Sequence, residues 1–252
     1  MAEGYVQSST NEGVATVEFF HPSGNALPSE LLDQLAHTIR TLGQTPAVRV
    51  IVLRSGGERA FCGGASLTEL ASIDSMEAGK AFFSKFANVI NAMRLCPRLI
   101  IGRVQGKAVG GGVGLRPATD YCLATQEAAV RLSELTVGIG PFVIEPAVRR
   151  KIGVSGVSHL TVNATQFESA MWCWQKGLYN DVYQTADQLD EHVTDLAQKL
   201  AAYDPEAMRQ MKQVFWEGTD HWDTLLTERA ALSGTLVLSE FSQRVLTALK
   251  NR

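Results

Sequence analysis

The stretch Val104-Gln105-Gly106-Lys107-Ala108-Val109-Gly110-Gly111-Gly112-Val113-Gly114 follows the apolar run Leu99-Ile100-Ile101, which is typical of a buried strand. Three consecutive glycines after a strand let the backbone approach a ligand closely, because no Cβ atom intervenes. If a helix begins here, its first N–H groups point into the turn with the positive end of the helix dipole behind them. The stretch therefore predicts either a site for a phosphate or a developing oxyanion, or a tight turn with close helix packing. The spacings of phosphate-binding glycine motifs are absent, which disfavours the phosphate.

A second glycine element has the same setting. The β-branched run from Val48 to Leu53 is typical of a buried strand. It leads into Ser55-Gly56-Gly57-Glu58-Arg59-Ala60-Phe61-Cys62-Gly63-Gly64-Ala65-Ser66-Leu67, where small residues again precede a predicted helix. Each turn can offer one backbone N–H, and the two together could converge on a single carbonyl oxygen.

Length and composition are typical of a globular protein with a sizeable core. The chain has 252 residues, of which 45% are hydrophobic and 19% are charged. The net charge of −3 gives no indication of binding to nucleic acid or to an anionic membrane surface. No apolar run approaches the roughly 20 residues that span a bilayer, and residues 1–10 lack the apolar core of a signal peptide. We therefore expect a cytoplasmic protein without nucleic-acid or membrane partners.

The four cysteines, Cys62, Cys96, Cys122 and Cys173, are far apart and form no C-x-x-C pair. This spacing predicts reduced thiols rather than a disulfide framework or a zinc site. The five histidines match no ligand or triad spacing, so no metal site is expected. Cys62 lies in a glycine turn, where a buried inert thiol is favoured over a reactive one.

Strands and helices alternate along the first part of the chain. Apolar residues recur at helical spacing from Leu31 to Leu42, after a predicted capped start at Pro28-Ser29, and again from Phe82 to Met93. Such alternation implies crossover connections and a mainly parallel sheet. The predicted strands are Val14–Phe20, Val48–Leu53, Leu99–Val104 and Tyr121–Ala124.

From about Ala186 onward the periodicity is helical throughout. The predicted helices are Leu189–Leu200, Pro205–Trp216 and Thr224–Leu249, and Pro205 after Asp204 is suited to a first helical turn. The pattern therefore predicts an α/β core followed by a helical C-terminal region.

The two glycine elements, in this order, resemble the crotonase superfamily, also called the enoyl-CoA hydratase/isomerase family. The family's first turn is similar to A-F-C-A-G-A-D, and its second to V-x-G-x-A-x-G-G-G. The matching segments here are Ala60-Phe61-Cys62-Gly63-Gly64-Ala65-Ser66 and Val104-Gln105-Gly106-Lys107-Ala108-Val109-Gly110-Gly111-Gly112. The resemblance covers nearly the whole chain and implies an α/β fold, a crotonase-like spiral of ββα units. Residues 1–200 would form this core, and residues 201–252 a C-terminal helical oligomerisation region of a homotrimer or dimer of trimers.

Crotonase chemistry begins with a thioester enolate, whose oxygen binds two backbone N–H groups while carboxylates move protons. The resemblance places the two donors on Ala65 and Gly111. Hydratases of the family carry one glutamate shortly after the triple glycine, where this chain has Gly114. They carry a second in a G-x-P-E-like segment, which matches Glu134. The chain thus retains one catalytic carboxylate and lacks the other, unless Glu134 is only a first-turn residue stabilised by a helix dipole.

Counting protons favours isomerisation over hydration. Adding water to a double bond requires activation of the water and protonation of the other carbon, and two carboxylates share this work. Moving a double bond from 3-enoyl to 2-enoyl needs one base, which removes the α proton and returns it at the γ carbon. The single-glutamate isomerases of the superfamily resemble this chain. An enoyl-CoA isomerase with Glu134 as its base is therefore expected. The alternatives are an enoyl-CoA hydratase (including the methylglutaconyl-CoA type), a decarboxylase and a non-catalytic CoA-ester-binding subunit.

Four further charged residues are considered for the site. Glu145 and Glu69 could each supply a second carboxylate, although surface roles are favoured for both. Arg116 could pair with Glu134, bind a substrate carboxylate or point outward, and the sequence does not decide among these. Asp120 is expected to make structural hydrogen bonds near the core.

The resemblance also implies the residues that bind an acyl-CoA substrate. No separate cofactor is expected, because the coenzyme A thioester is itself the substrate. Coenzyme A and the acyl chain would contact two turns and the apolar residues near them, with backbone groups doing most of the binding. The predicted binding residues are Ala26, Leu27, Arg59, Cys62, Gly63, Gly64, Leu67, Gly110, Leu135, Ile139 and Phe142.

Overall fold

Two sheets and one isolated strand pair form the α/β part of the molecule. The structure is a computed structural model that describes residues 4–250. The strands are β1 (Tyr5–Asn11), β2 (Val14–Phe20), β3 (Ala26–Leu27), β4 (Val50–Ser55), β5 (Ala60–Cys62), β6 (Gly64–Ala65), β7 (Leu99–Val104), β8 (Lys107–Val109), β9 (Tyr121–Thr125), β10 (Ala129–Arg131), β11 (Glu168–Ser169) and β12 (Asp181–Tyr183).

Helices cover the sheets and make up the whole C-terminal part. They are α1 (Ser29–Gln44), α2 (Leu67–Leu70), α3 (Met76–Leu95), α4 (Gly111–Leu115), α5 (Glu145–Val162), α6 (Ala170–Lys176), α7 (Ala186–Ala202), α8 (Pro205–Phe215), α9 (Trp222–Leu236) and α10 (Glu240–Lys250), with a 3₁₀ turn at Glu134–Val137. No helix within residues 4–250 is both long and apolar enough to cross a membrane.

The larger sheet has the strand order β1-β2-β4-β7-β9-β12 and is parallel except for the β1–β2 hairpin. Its central strand β4 is buried on both faces, which explains its unbroken apolar sequence. Ile51 and Leu53 pack into the main core, whereas Val50 and Val52 pack against α7 in a smaller cluster. The expectation of an α/β fold with a mainly parallel sheet is confirmed.

The smaller sheet has the order β11-β10-β8-β5. Strands β5, β8 and β10 run parallel, and β11 pairs antiparallel with β10. The carboxyl ends of three parallel strands therefore lie at one edge. These strands are absent from the sequence prediction, because runs of two or three residues carry no readable periodicity.

Most longer elements occupy the predicted residues. Strands β2 and β7 coincide with the prediction, and β4 and β9 differ only at their ends. The single predicted helix Thr224–Leu249 is wrong, since the chain forms two helices, α9 and α10, in that region. The break follows from local capping: the Ser239 hydroxyl accepts a hydrogen bond from Ser242 N at 3.2 Å and starts a new helix.

The C-terminal helices pack on the core of their own chain. Helix α9 lies along α3, and α10 contacts α2 and the 3₁₀ turn. Trp216, Leu226 and Leu246 belong to the same hydrophobic cluster as the sheet residues. Residues after 200 therefore share one core with the rest of the chain, and their role in oligomerisation stays a prediction.

Two glycines allow α3 and α9 to approach closely. A Cβ atom on Gly79 would lie only 2.7 Å from the Cα atom of Gly234. We expect Gly79→Val to separate the helices and to lower the free energy of unfolding by about 2 kcal/mol or more, because overpacking a rigid contact is destabilising. Urea denaturation measures this. Lys80→Val, on the exposed side of α3, is the control and should change stability by less than about 0.5 kcal/mol. Equal effects of the two variants would contradict this packing.

Candidate active site

Three parallel strands of the smaller sheet end at one apolar pocket. The segment after β5 contributes Gly63, the segment after β8 contributes Gly110, and the segment after β10 contributes Ser133. Parallel strands present their following loops at the same edge, so the topology alone brings these segments together. The pocket has a volume of about 100 Å³.

The two glycine turns contact each other directly. Gly64 has a φ of 90°, and a Cβ atom on it would lie 2.7 Å from the Val109 carbonyl oxygen and 3.4 Å from the Gly111 nitrogen. Gly110 has a φ of 52°. Only glycine adopts these conformations readily and leaves room for the neighbouring backbone. The glycines therefore permit the contact that places both turns in one site.

Both predicted oxyanion donors line this pocket. Gly111 is the first residue of α4, so its N–H has no acceptor within the helix. Ala65 belongs to β6, which pairs with β3 in the register Ala26 to Gly64 and Leu27 to Ala65. The pairing holds the first turn in place beside the second, and the convergence of the two N–H groups on one oxygen atom stays a prediction.

Glu134 brings the carboxyl group to the same pocket. It begins the 3₁₀ turn after β10, and a Cβ atom on Gly110 would lie 3.3 Å from its Oε1 atom. The residue as a whole is half-buried, but its Oε2 atom is buried and has no hydrogen-bond partner among the described residues. Burial raises the pKa of the Glu134 carboxyl to about 7, against a smaller lowering effect of a backbone hydrogen bond. Such a group can accept and return a proton near neutral pH.

Apart from Glu134, the described lining of the pocket is uncharged. Phe83 and Phe86 come from α3, and Ser233 from α9. The remaining lining residues are Gly63, Gly64, Ala65, Leu67, Leu70, Val109, Gly110, Gly111, Ser133, Val137, Ile139, Gly140, Pro141, Phe142, Val143 and Ile144. The position at which hydratases carry their first glutamate is closed: a Cβ atom on Gly114 would lie 2.4 Å from Cγ2 of Ile144.

The structure assembles most of the predicted site residues in one place. The predicted residues that line the pocket are Glu134, Ala65, Gly111, Gly63, Gly64, Leu67, Gly110, Ile139 and Phe142. Their catalytic and binding roles stay predictions.

Five predicted binding residues do not line the pocket. Ala26 and Leu27 act through strand pairing with the first turn, and Leu27 is buried in the core. Cys62 is also fully buried, under Gly112, and burial raises the pKa of its thiol to about 12. The side chains of Arg59 and Leu135 are exposed at the surface.

The other candidate carboxylates have structural partners outside the pocket lining. Glu69 Oε2 accepts hydrogen bonds from Ser29 N at 2.8 Å and from Ser29 Oγ at 3.0 Å. Helix α1 begins at Ser29 with Pro28 as its N-cap residue, as predicted, but Glu69 supplies the capping hydrogen bond because Pro28 provides none from its side chain. Glu145 lies between two arginines, 4.0 Å from Arg149 Nη1 and 3.8 Å from Arg229 Nη2.

Asp120 has the structural role that the sequence predicts. Its carboxylate accepts hydrogen bonds from Ile100 N at 2.7 Å and Trp216 Nε1 at 2.8 Å. It also forms a buried ion pair with Lys212 at 2.8 Å. Asp120 therefore joins the sheet to α8 and has no part in the pocket.

Arg116 does not pair with Glu134, does not line the pocket where it could bind a substrate carboxylate, and does not point outward. Its side chain is fully buried, and Nη1 donates a hydrogen bond to the Tyr179 hydroxyl. It neither lines the pocket nor forms an ion pair with Glu134 within the described part of the chain. Periodicity does not reveal the direction of an arginine that ends a five-residue helix.

The sequence does not predict several of the residues that line the pocket. Val143 and Ile144 follow the glycine-rich segment after Glu134, but no pattern separates them from core residues. Ser233 comes from α9, far along the chain, and reaches the pocket because α9 packs against α3. Residues 4–250 contain no group of three or more His, Cys, Asp or Glu side chains arranged to hold a metal ion.

The burial of Glu134 predicts a pH-dependent stability. A carboxyl group whose pKa rises from 4.5 to about 7 on folding favours the folded state below pH 4.5, and this contribution is lost as the pH rises through 7. Relative to Glu134→Gln, the wild-type protein should lose about 3 kcal/mol of unfolding free energy across this range. Urea denaturation at several pH values measures the difference. A constant difference between pH 4 and pH 9 would contradict the burial of the carboxyl group.

Comparisons with known proteins agree with this geometry. The sequence profile of the enoyl-CoA hydratase/isomerase family matches residues 9–244. Methylglutaconyl-CoA hydratase of Mus musculus is 31% identical over 215 residues, which span 83% of this chain and 68% of that protein. The peroxisomal Delta(3,5)-Delta(2,4)-dienoyl-CoA isomerase of Arabidopsis thaliana is 26% identical over 225 residues, 83% of this chain and 79% of that protein.

A solved structure shows the same fold. The enoyl-CoA hydratase of Bacillus halodurans superposes with a TM-score of 0.90, at 19% sequence identity, over 97% of this chain and 99% of that chain. At this identity the likeness speaks for the fold alone. The profile match over most of the chain, together with the two converging turns, shows that this protein belongs to the enoyl-CoA hydratase/isomerase family, the crotonases.

Proposed function

We propose that this protein is an enoyl-CoA isomerase that converts a 3-enoyl-CoA to a 2-enoyl-CoA with Glu134 as its single base. The observation that carries the proposal is the composition of the pocket. Glu134 is the one ionisable side chain among the described residues that line it, and the two predicted oxyanion donors line the same pocket. One carboxyl group is enough for a 1,3-proton shift. Hydration would need a second proton-transfer group, which the described lining of the pocket does not supply.

The reaction follows from the placement of these groups. The thioester carbonyl oxygen accepts hydrogen bonds from Ala65 N and Gly111 N, which stabilise negative charge on that oxygen. Ionised Glu134 removes a proton from C2, and the electron pair of the C–H bond enters a dienolate. The same carboxylic acid then returns the proton to C4, and the double bond moves from C3–C4 to C2–C3. No atom is gained or lost, and no cofactor is needed.

The closed position beside Gly114 supports isomerisation over hydration. A glutamate at position 114 would collide with the Ile144 side chain. Hydratases are nevertheless among the relatives, so hydration is the alternative that the experiment below has to separate.

The pocket lining favours an uncharged acyl chain. No Lys, Arg or His belongs to the described lining, so a second carboxylate on the acyl group would be buried without a partner. This argues against a carboxylated acyl-CoA, including methylglutaconyl-CoA, as the substrate.

Oligomerisation and location belong to the same proposal. Large apolar side chains are exposed on α5, α6 and α8, including Val162, Trp174 and Val214. Burying such side chains between copies of the chain would be favourable. They support assembly into a homotrimer or a dimer of trimers, which we expect to work in the cytoplasm.

Product analysis tests the proposed reaction. We expect the protein to convert a short 3-enoyl-CoA to the 2-enoyl isomer of unchanged mass, as measured by chromatography and mass spectrometry. Glu134→Gln should lower kcat by about 1,000-fold or more and leave the affinity for coenzyme A thioesters within about threefold, because the amide keeps the shape but cannot accept the proton. Glu69→Gln is the matched control and should retain kcat.

Other products would overturn the proposal. Gain of one water from a 2-enoyl-CoA at a comparable rate would identify a hydratase, and loss of carbon dioxide from a carboxylated acyl-CoA would identify a decarboxylase. Full activity of Glu134→Gln would show that another group is the base. Binding of the thioesters without any turnover would favour a non-catalytic subunit.

The raised pKa of Glu134 predicts the pH profile of the isomerase. The base must be ionised, so kcat/KM should rise with pH and level off above about 7. Initial rates between pH 5 and pH 9 measure the profile. A plateau already reached at pH 5 would mean that the carboxyl group is not desolvated in the working enzyme.

A further inference from the structure

Arg116 is a buried cation that the reaction scheme does not use. It follows α4 directly, and its side chain is fully buried. Nη1 donates to the Tyr179 hydroxyl, and the Cζ atom lies 5.4 Å from the centre of the Tyr179 ring. Nε and Nη2 have no hydrogen-bond partner within the described residues. Burying a charge with so few hydrogen-bond partners destabilises the folded state, which suggests that the charge of Arg116 has a function.

No carboxylate neutralises this charge within residues 4–250. The other two buried arginines have acidic partners: Arg94 Nη2 is 3.0 Å from Asp223, and Arg103 Nε is 2.7 Å from Asp190. The titratable groups that the charge of Arg116 acts on include Tyr179 and three cysteines. Burial raises the pKa of each of these groups more than the nearby guanidinium lowers it, so all four are neutral at pH 7. The three thiols are Cys62, Cys122 and Cys173.

Arg116 is connected to both segments that carry the predicted oxyanion donors. Helix α4 separates Arg116 from Gly111 by five residues, which is about 8 Å along the helix, and helical side chains lean back towards the N-terminus. On the other side, Cys62 directly precedes the first glycine turn, and its Sγ would lie 2.8 Å from a Cβ atom on Gly112. Arg116 thus ends the short helix that carries one donor, and its charge lowers the pKa of the Cys62 thiol, which precedes the turn that carries the other donor.

We propose that Arg116 is a supporting residue of the oxyanion hole, whose unneutralised charge stabilises the enolate without touching the substrate. The inference rests on the proposed function, since it requires an enolate at Ala65 and Gly111. The cation at the C-terminal end of α4 and the dipole of that helix act in the same direction on an anion at its N-terminal end. A unit charge about 10 Å away, at an effective dielectric constant of about 20, changes an ionisation equilibrium by roughly tenfold.

Enolisation of a bound ligand tests this directly. Acetoacetyl-CoA loses a proton from C2 to give an enolate that absorbs in the near ultraviolet, and the proton passes to solvent or to Glu134. Titration of the saturated complex with pH gives the fraction enolised without any turnover. We expect wild-type protein to increase this fraction relative to free ligand, and Arg116→Met to reduce it by roughly tenfold at fixed pH. Arg116→Lys, which keeps the charge, should remain within about threefold of wild type.

Control variants separate charge from structure. Tyr179→Phe removes the hydrogen bond but keeps the cation, and Arg103→Met removes a buried arginine that already has an acidic partner. Both should enolise the ligand like wild type, with binding affinity and thermal unfolding recorded for every variant. Where Arg116→Met does not fold, the neutral Arg116→Gln takes its place.

Each result decides for or against the inference. Wild-type enolisation in Arg116→Met or Arg116→Gln would overturn it, and so would an equal loss in Arg116→Lys, which would indicate a role in shape rather than charge. If wild-type protein itself does not promote enolisation, the oxyanion hole of the proposed function is wrong, and the role of Arg116 falls with it.

Discussion

The contact between the two glycine turns is the constraint on which the site depends. Gly64 lies so close to Val109 and Gly111 that neither turn could keep its position if Gly64 carried a side chain. The parallel strands β5 and β8 bring the turns to one edge, and the β3–β6 pairing holds the first turn from outside. Two N–H groups from distant parts of the sequence thereby lie beside one carboxyl group. The other residues that line the pocket pack around the two turns.

Burial gives this arrangement its chemistry. An apolar lining with one carboxyl group raises the pKa of Glu134 to about 7, and the same exclusion of water strengthens the hydrogen bonds that stabilise an oxyanion. This burial also has a cost, because ionised Glu134 in the pocket and the cation of Arg116 outside it are both poorly solvated. Functional sites commonly retain such destabilising groups, since their strained or desolvated state serves the reaction.

The sequence predicts the main parts of this site but not its shape. Consecutive glycines after apolar strands identify both turns, and the resemblance to the crotonase family implies that Glu134 is the carboxyl group. Three features depend on tertiary packing instead. They are the direction of the Arg116 side chain, the contact of Ile144 with the space beside Gly114, and the position of Ser233 of α9 at the pocket. Local pattern cannot report them, because an apolar residue in a loop or on a helix looks the same whether it faces a pocket or a core.

The central claim is that one buried carboxyl group moves one proton from C2 to C4. A 3-enoyl-CoA labelled with deuterium at C2, incubated in deuterium-free water enriched in ¹⁸O, tests it most directly. The account predicts 2-enoyl product that retains part of the deuterium at C4 and contains no ¹⁸O, because the same carboxylic acid returns the proton it removed. Product with no deuterium at C4, or with ¹⁸O incorporated, would contradict a single shuttling base.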